Sequence, residues 1–269
     1  MKSLLLLSLA VPMLIVPSAR GATTTFSFIT DTWTNGASTQ TGYLDNAPSG
    51  SVSKDGITLS FQTSFTGTAD PSTRNLTLVT SGNPTGFNMG TQDDANDLGG
   101  PLAHYQRWDF FFSQPVVLRN LAIDDIDSDQ DAVGIDGTDG FRDAIAAEAF
   151  AGLVFGPLGS GIDADFSEDL GSSLSLGVIS AGNGHSLNYV LSGPAGNPNN
   201  APDYRAYLSF GETPIQSFSI FAFSDRDNAH RVSLFQSLLE VEAVEVVPEP
   251  STLLLSLAAL PLLARRRRL

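Results

Sequence analysis

The chain has 269 residues, with 14 Lys and Arg, 29 Asp and Glu, three His and no Cys, and a formal charge of −15. The lack of Cys excludes a disulfide framework, a thiolate zinc site and a thiol nucleophile. The acidity argues against nucleic acid as a partner, because neutralising phosphates needs Lys and Arg. A hydrophobic fraction of 42% is enough for a core, and a charged fraction of only 16% leaves room for the Gly, Ser, Thr and Asn of a turn-rich β protein.

Residues 1–21 read as a secretory signal peptide. Lys2 supplies the positive start, and Leu4 to Val16 is an apolar run too short to span a bilayer. Ala19 and Gly21 are small residues that suit cleavage before Ala22. Period-two patterning then predicts strands. Phe26 and Phe28 alternate with Thr25 and Ser27; Ile57, Leu59 and Phe61 with Thr58 and Ser60; Leu76 and Leu78 with Asn75 and Thr77. Arg107–Ser113 and Val116–Asp124 read as two richer strands split at Gln114-Pro115. Ile145–Phe155 is ambiguous, its alanines favouring helix and its Phe and Val residues a strand, and it is assigned to a strand. Arg205–Phe210 and Ile215–Ser224 follow. The last strand carries Leu239, Val241 and Ala243 on one face, with Glu240 and Glu242 expected in solvent on the other.

Turn formers separate these runs, at Asp45–Gly50, Ser81–Pro84 and Ser192–Pro202. Ten to twelve short strands with such spacing predict an all-β fold, a single jelly-roll-like β-sandwich over residues 22–247. That body holds 8 basic and 28 acidic groups, a net of −20, so it is self-repelling and attractive to divalent cations.

The densest run of carboxylates is Asp124-Asp125-Ile126-Asp127-Ser128-Asp129-Gln130-Asp131. In an extended segment, Asp125, Asp127, Asp129 and Asp131 share one face, roughly 6–7 Å apart. Neighbours at about 7 Å repel by about 2.4 kcal/mol at an effective dielectric of 20 and by about 0.6 kcal/mol in water. Two readings follow: a solvated acidic loop, or an ordered loop holding Ca2+, which takes six to eight oxygens in flexible geometry. It is not an EF-hand, because Gln130 stands where the turn glycine belongs and Asp136 where the closing Glu belongs.

Around this loop, Phe110-Phe111-Phe112, Pro115-Val116, Ile123 to Ser128 and Phe141-Arg142-Asp143-Ala144-Ile145 resemble extracellular bacterial β-sandwich domains over residues 105–155. In those domains a strand ends in an Asp-Ile-Asp-Ser turn and a later Asp opens the next strand. The resemblance implies a jelly-roll-like sandwich and no particular activity. It would bring Asp125, Asp127 and Asp143 together at one end and add Asp143 to the calcium ligands.

The C-terminus is the most specific feature. Pro248-Glu249-Pro250 precedes an apolar run, Leu253–Ala264, and then Arg265, Arg266, Arg267 and Arg268. The run spans about 18 Å as a helix, and the arginines would stay cytoplasmic. Residues 248–269 resemble a PEP-CTERM sorting signal, with all three parts in order. The resemblance implies a transmembrane sorting helix and cleavage by exosortase, a membrane cysteine protease, after passage through the export machinery. It also implies delivery to the cell surface or exopolysaccharide matrix of a Gram-negative-type bacterium. It implies nothing about the activity of the body.

Marks of catalysis are few. His104, His185 and His230 are far apart in sequence, no Gly-x-Ser-x-Gly elbow occurs, and Gly182-Asn183-Gly184 reads as a polar turn. The chain therefore reads as a structural or interaction protein and not an enzyme. The alternative is a carbohydrate-binding module, with or without calcium, using Trp33, Tyr43, Tyr105, Trp108, Tyr189, Tyr204 or Tyr207 as platforms; a third reading is a hydrolase of unfamiliar type with two facing carboxylates drawn from separate strands. Trp108 is expected in the core. Trp33, in Thr32-Trp33-Thr34-Asn35-Gly36, is expected exposed beside a turn.

Overall fold

Alternating apolar and polar residues with Gly- and Asn-rich breaks produce strands and tight turns through most of this chain. The computed structural model describes residues 20–69, 76–79, 86–91, 100–128, 142–167, 169–193, 202–225 and 230–244. Residues 1–19 of the expected signal peptide, the expected sorting tail (248–269), Asp129 and Asp131 lie outside them. Among the described residues there is no α-helix, only two 3-10 turns at Pro202–Tyr204 and Phe235–Ser237.

The strands are β1 (Arg20–Ser27), β2 (Thr32–Asn35), β3 (Ser38–Thr41), β4 (Ser49–Lys54), β5 (Ile57–Thr66), β6 (Leu76–Val79) and β7 (Gly86–Thr91). Then come β8 (Tyr105–Arg119), β9 (Leu121–Asp124), β10 (Asp143–Phe150), β11 (Ile162–Asp163), β12 (Leu174–Ser180) and β13 (Ser186–Ser192). The last are β14 (Ala206–Leu208), β15 (Ile215–Ser224), β16 (His230–Leu234) and β17 (Leu238–Val244).

They form two sheets. The large one runs β12-β13-β10-β15-β8-β5-β4-β2-β3, with β11 beside β10 and β17 between β8 and β1. The small one runs β14-β9-β16-β7-β6. The ladders from β2 to β17 are antiparallel. One core joins both sheets: Phe110, Phe112, Ile145, Phe218 and Ile220 of the large sheet cluster with Leu121, Ile123, Ala206, Val232 and Leu234 of the small one. The fold is thus all-β and sandwich-like. A second core on the other face of the large sheet joins Ala144, Ala146, Ile179, Leu187, Phe221 and Phe223.

Four sequence expectations are corrected by this packing. The segment around Gln114-Pro115 does not break: β8 continues through it, paired with β5 and β15 over residues 105–112 and with β17 over residues 116–119. Pro115 sits where the β8–β15 register shifts between Ile215 and Ser217, a place where a missing N–H is tolerated. The real break is Asn120, at φ 40°, where the chain crosses to the small sheet. Ile145–Phe155 is strand only as far as Phe150. Arg205–Phe210 shortens to β14. Glu242 is not in solvent, being 9% exposed and bonded to Arg119 at 2.9 Å.

Candidate functional site

The acidic turn after β9 is built where both sheets meet at one end. Asp125 adopts φ 63°, a left-handed conformation that Asp tolerates better than most residues. This turn drives Ile126 into the main core, where it is fully buried, and its N–H bonds Tyr204 O at 3.2 Å. The chain then runs against the start of β10. Asp143 N donates to Asp127 O at 2.8 Å, Asp127 N to Asp143 Oδ2 at 3.4 Å, and Ser128 bridges to Arg142.

Three of the five residues expected to bind calcium are therefore described, and all three are buried: Asp125 (4%), Asp127 (7%) and Asp143 (0%). The Asp127–Asp143 approach that the Asp-Ile-Asp-Ser resemblance implied is present. Among the described residues, however, no group of three or more His, Asp or Glu side chains is arranged to hold a metal ion. Asp129 and Asp131 fall outside that set.

Two guanidinium groups fasten the same end of the fold. Arg142 donates Nε and Nη2 to Ser192 O at 2.9 and 2.7 Å, and its Nη1 lies 3.4 Å from Asp225 Oδ2. Ser128 Oγ bonds Gly193 O at 2.8 Å, tying the acidic turn to the end of β13. Arg205 Nη2 reaches Asp124 Oδ2 at 3.1 Å, and the Arg205 guanidinium lies 3.5 Å from the Phe235 ring centre. Five acidic residues (Asp124, Asp125, Asp127, Asp143 and Asp225) thus belong to the same end as two arginines, largely out of water. Such burial is costly for charge, so it fixes the turn's geometry tightly. The sequence assigns no role to Arg142, although it falls within the resemblance over residues 105–155, or to Arg205. Each is an isolated basic residue beside a loop, with no local pattern to mark it.

A second polar knot lies on β10. Glu148, 1% exposed, accepts N–H bonds from Gly159 and Gly161 on one oxygen, at 3.0 and 3.1 Å. It pins the loop that follows β10. Burial pushes its carboxyl above the usual range, against the opposing pull of the Gly161 N–H and Arg107. Asp163, its neighbour across the β10–β11 pair, is also pushed up by burial, against bonds from Asn188 and Ala164.

The aromatic candidates separate sharply. Trp33 is fully buried, correcting the expected exposure: its ring stacks on Phe28 at 4.5 Å, and its Nε1 donates to Ser27 O at 2.9 Å. Trp108 is fully buried, as expected, and Tyr43, Tyr105 and Tyr204 are buried as well. Only Tyr189 and Tyr207 keep partial exposure. A groove at Thr58, Ser60, Phe111, Phe112, Ser113 and Leu153 has no titratable lining side chain.

Comparison with protein-family models, curated proteins and solved structures finds no match to this chain.

Proposed function

We propose that this chain is an exported structural or interaction protein, sorted by its C-terminal tail to the cell surface or exopolysaccharide matrix. In this reading residues 1–21 direct export, residues 22–247 form an acidic, jelly-roll-like sandwich, and residues 248–269 are the exosortase substrate. One observation carries it: Pro248-Glu249-Pro250, the apolar run and Arg265 to Arg268 stand in the order a PEP-CTERM signal requires. The pairing of β1 with β17 is compatible with it. First and last strands are neighbours, and only residues 245–247 separate the end of β17 from Pro248. Four extended steps of chain reach about 13 Å, so the cleavage motif is close to the folded unit in sequence.

The test is replacement of Pro248, Glu249 and Pro250 by Ala, followed by immunoblotting of membrane and extracellular fractions. A larger, membrane-retained species is expected. Unchanged processing and release would overturn the proposal.

A calcium ion at Asp125, Asp127, Asp129, Asp131 and Asp143 is the second reading, supported by the burial of the three described aspartates. It predicts that calcium raises the thermal midpoint by several degrees over chelator, because a cation binding only the folded state stabilises it by linkage. Equal midpoints with and without saturating calcium would leave a structural acidic turn. Exopolysaccharide as the bound partner is the alternative to a purely structural role. It rests on Tyr189 and Tyr207 alone, the other aromatic candidates being core residues.

A further inference from the structure

The two strands that end the main path of the large sheet are unlike. β3 (Ser-Thr-Gln-Thr) is four residues long, polar and fully exposed. Short polar edges of this kind resist pairing with another chain. β12 (Leu-Ser-Leu-Gly-Val-Ile-Ser) is seven residues long and has no charge, proline or bulge to protect it.

Among the described residues, the part of that edge left uncovered can be located from the hydrogen bonds. Ser173 O accepts from Gly193 on the β13 side, whereas Ser180 O accepts from Leu102 on the opposite side. Alternation along a strand then turns the main-chain groups of Leu176 and Val178 outward. At one end Leu174 N is taken by Gly171 O, and at the other Ser180 O is taken by Leu102 N. Between these caps, Leu176 and Val178 are also among the most exposed large apolar side chains, at 53% and 63%. They lie on the same face as Leu174, which packs against the main core. Opposite, Ile179 enters the second core, and Gly177 leaves room for the Tyr189 ring, which a Cβ there would strike. The strand is therefore held firmly from behind while its outer edge presents backbone donors, acceptors and two apolar side chains.

Charge points to the occupant. Residues 170–202 contain no Asp, Glu, Lys or Arg, a 33-residue stretch in which 16% charged composition would place about five. A body of net −20 that bound a basic or neutral partner would have no need to clear carboxylates from the contact. One that bound a like-charged body would, because like charges repel across an interface. We propose that β12 is a self-association edge, pairing antiparallel with β12 of a second copy about a two-fold axis. Leu176 and Val178 of each copy cover one another and extend the large sheet across the dimer.

The full chain, in a mild detergent, is compared by sedimentation velocity over a range of concentrations and salt. A monomer–dimer equilibrium is expected that tightens as salt rises, because screening relieves the repulsion between acidic bodies. Val178→Pro removes an outward N–H without touching the β13 ladder, and Leu176→Lys with Val178→Lys adds charge at exposed positions; each weakens association more than tenfold with an unchanged unfolding midpoint. The chain has no cysteine, so Leu176→Cys and, as control, Thr39→Cys on β3 give single-thiol variants for a short bismaleimide cross-linker. Cross-linked dimer from the Leu176 variant alone supports the proposal. A monomer at every concentration, a dimer indifferent to the Val178→Pro and double-lysine changes, or equal cross-linking at both edges overturns it.

Discussion

Replacing Trp33 by Ala tests whether the N-terminal aromatic cluster is a core or a binding platform. Trp33 is fully buried, stacked on Phe28 at 4.5 Å and set edge-on to Tyr43 at 5.0 Å. Truncating a buried Trp costs about 3–5 kcal/mol, a figure that already includes its aromatic contacts. Ser27 O also loses its 2.9 Å bond from the indole, adding about 1 kcal/mol. The expected loss is about 5 kcal/mol. At about 2–4 °C per kcal/mol for a unit of this size, the midpoint falls by about 10–20 °C. Trp33→Phe keeps a six-membered aromatic ring but loses the pyrrole portion and its hydrogen bond, so it costs less than Trp33→Ala, about 2–3 kcal/mol. The chain has two tryptophans, so urea unfolding of either variant is followed through Trp108 alone. Trp108 is itself buried against Phe61, with ring centres 5.8 Å apart. A loss below about 1 kcal/mol for Trp33→Ala, the size of an exposed-site change, would refute the packing argument and restore Trp33 as a sugar platform.

Glu148 and Asp163 both carry carboxyls pushed upward by burial, so their contribution to stability is full below the unfolded-state values and is lost as pH rises through the folded ones. Glu148→Gln keeps an oxygen for Gly159 and Gly161 and removes the charge. The difference in unfolding free energy between this variant and the parent should therefore shift in the variant's favour as pH rises from about 4 to 7, and a difference that stays flat refutes the assignment. Arg142→Ala strips two bonds from the buried end of β13 and one partner from Asp225. A cost of about 2–4 kcal/mol in denaturant unfolding is expected, with Arg142→Lys recovering less than half because an ammonium cannot reproduce the guanidinium fork. A loss under about 0.5 kcal/mol would show that the acidic turn does not depend on this arginine.

What was legible in the sequence depended on how each strand is buried. β15 is legible with its true ends, and β5 and β17 by their alternation, because patterned apolar residues and Gly or Pro breaks mark them. β10 was ambiguous because it is covered on both faces. Ile145, Ala147 and Ala149 enter the main core while Ala144 and Ala146 enter the second. A strand of this kind has no polar face to alternate with, and its alanines, small enough for two-sided packing, imitate a helix. β2, β3 and β4 are not legible, because short, polar or single-faced strands carry little periodic signal. The convergence of Asp127 on Asp143 was legible through the Asp-Ile-Asp-Ser resemblance. The arginines that hold that end were not, since Arg142 meets Ser192 and Asp225 across 50 and 83 residues of chain.

The pairing of β1 with β17 has a consequence for how such a chain reaches its folded state. The would-be Cβ of Gly21 strikes Ala243, so the two strands touch where one begins and the other ends. β17 also completes the far half of β8, through Glu240 to Ala243 against Arg119 to Val116. Until β17 is present, β1 lacks a neighbour in the sheet and residues 116–119 of β8 lack one of theirs. A contact between first and last strands has the greatest sequence separation the fold allows, and such contacts form late because loop closure precedes their reward. Under the proposed export route, residues 20–27 would therefore remain unpaired while the body crosses the membrane, and cleavage before Ala22 would remove Arg20 and Gly21 from β1, leaving residues 22–27 to pair once the last strand arrives. The closing strand would arrive just ahead of Pro248, so assembly of the sheet would coincide with presentation of the sorting motif. The same segment would thus complete the fold and, under that route, lead directly into the proposed sorting motif.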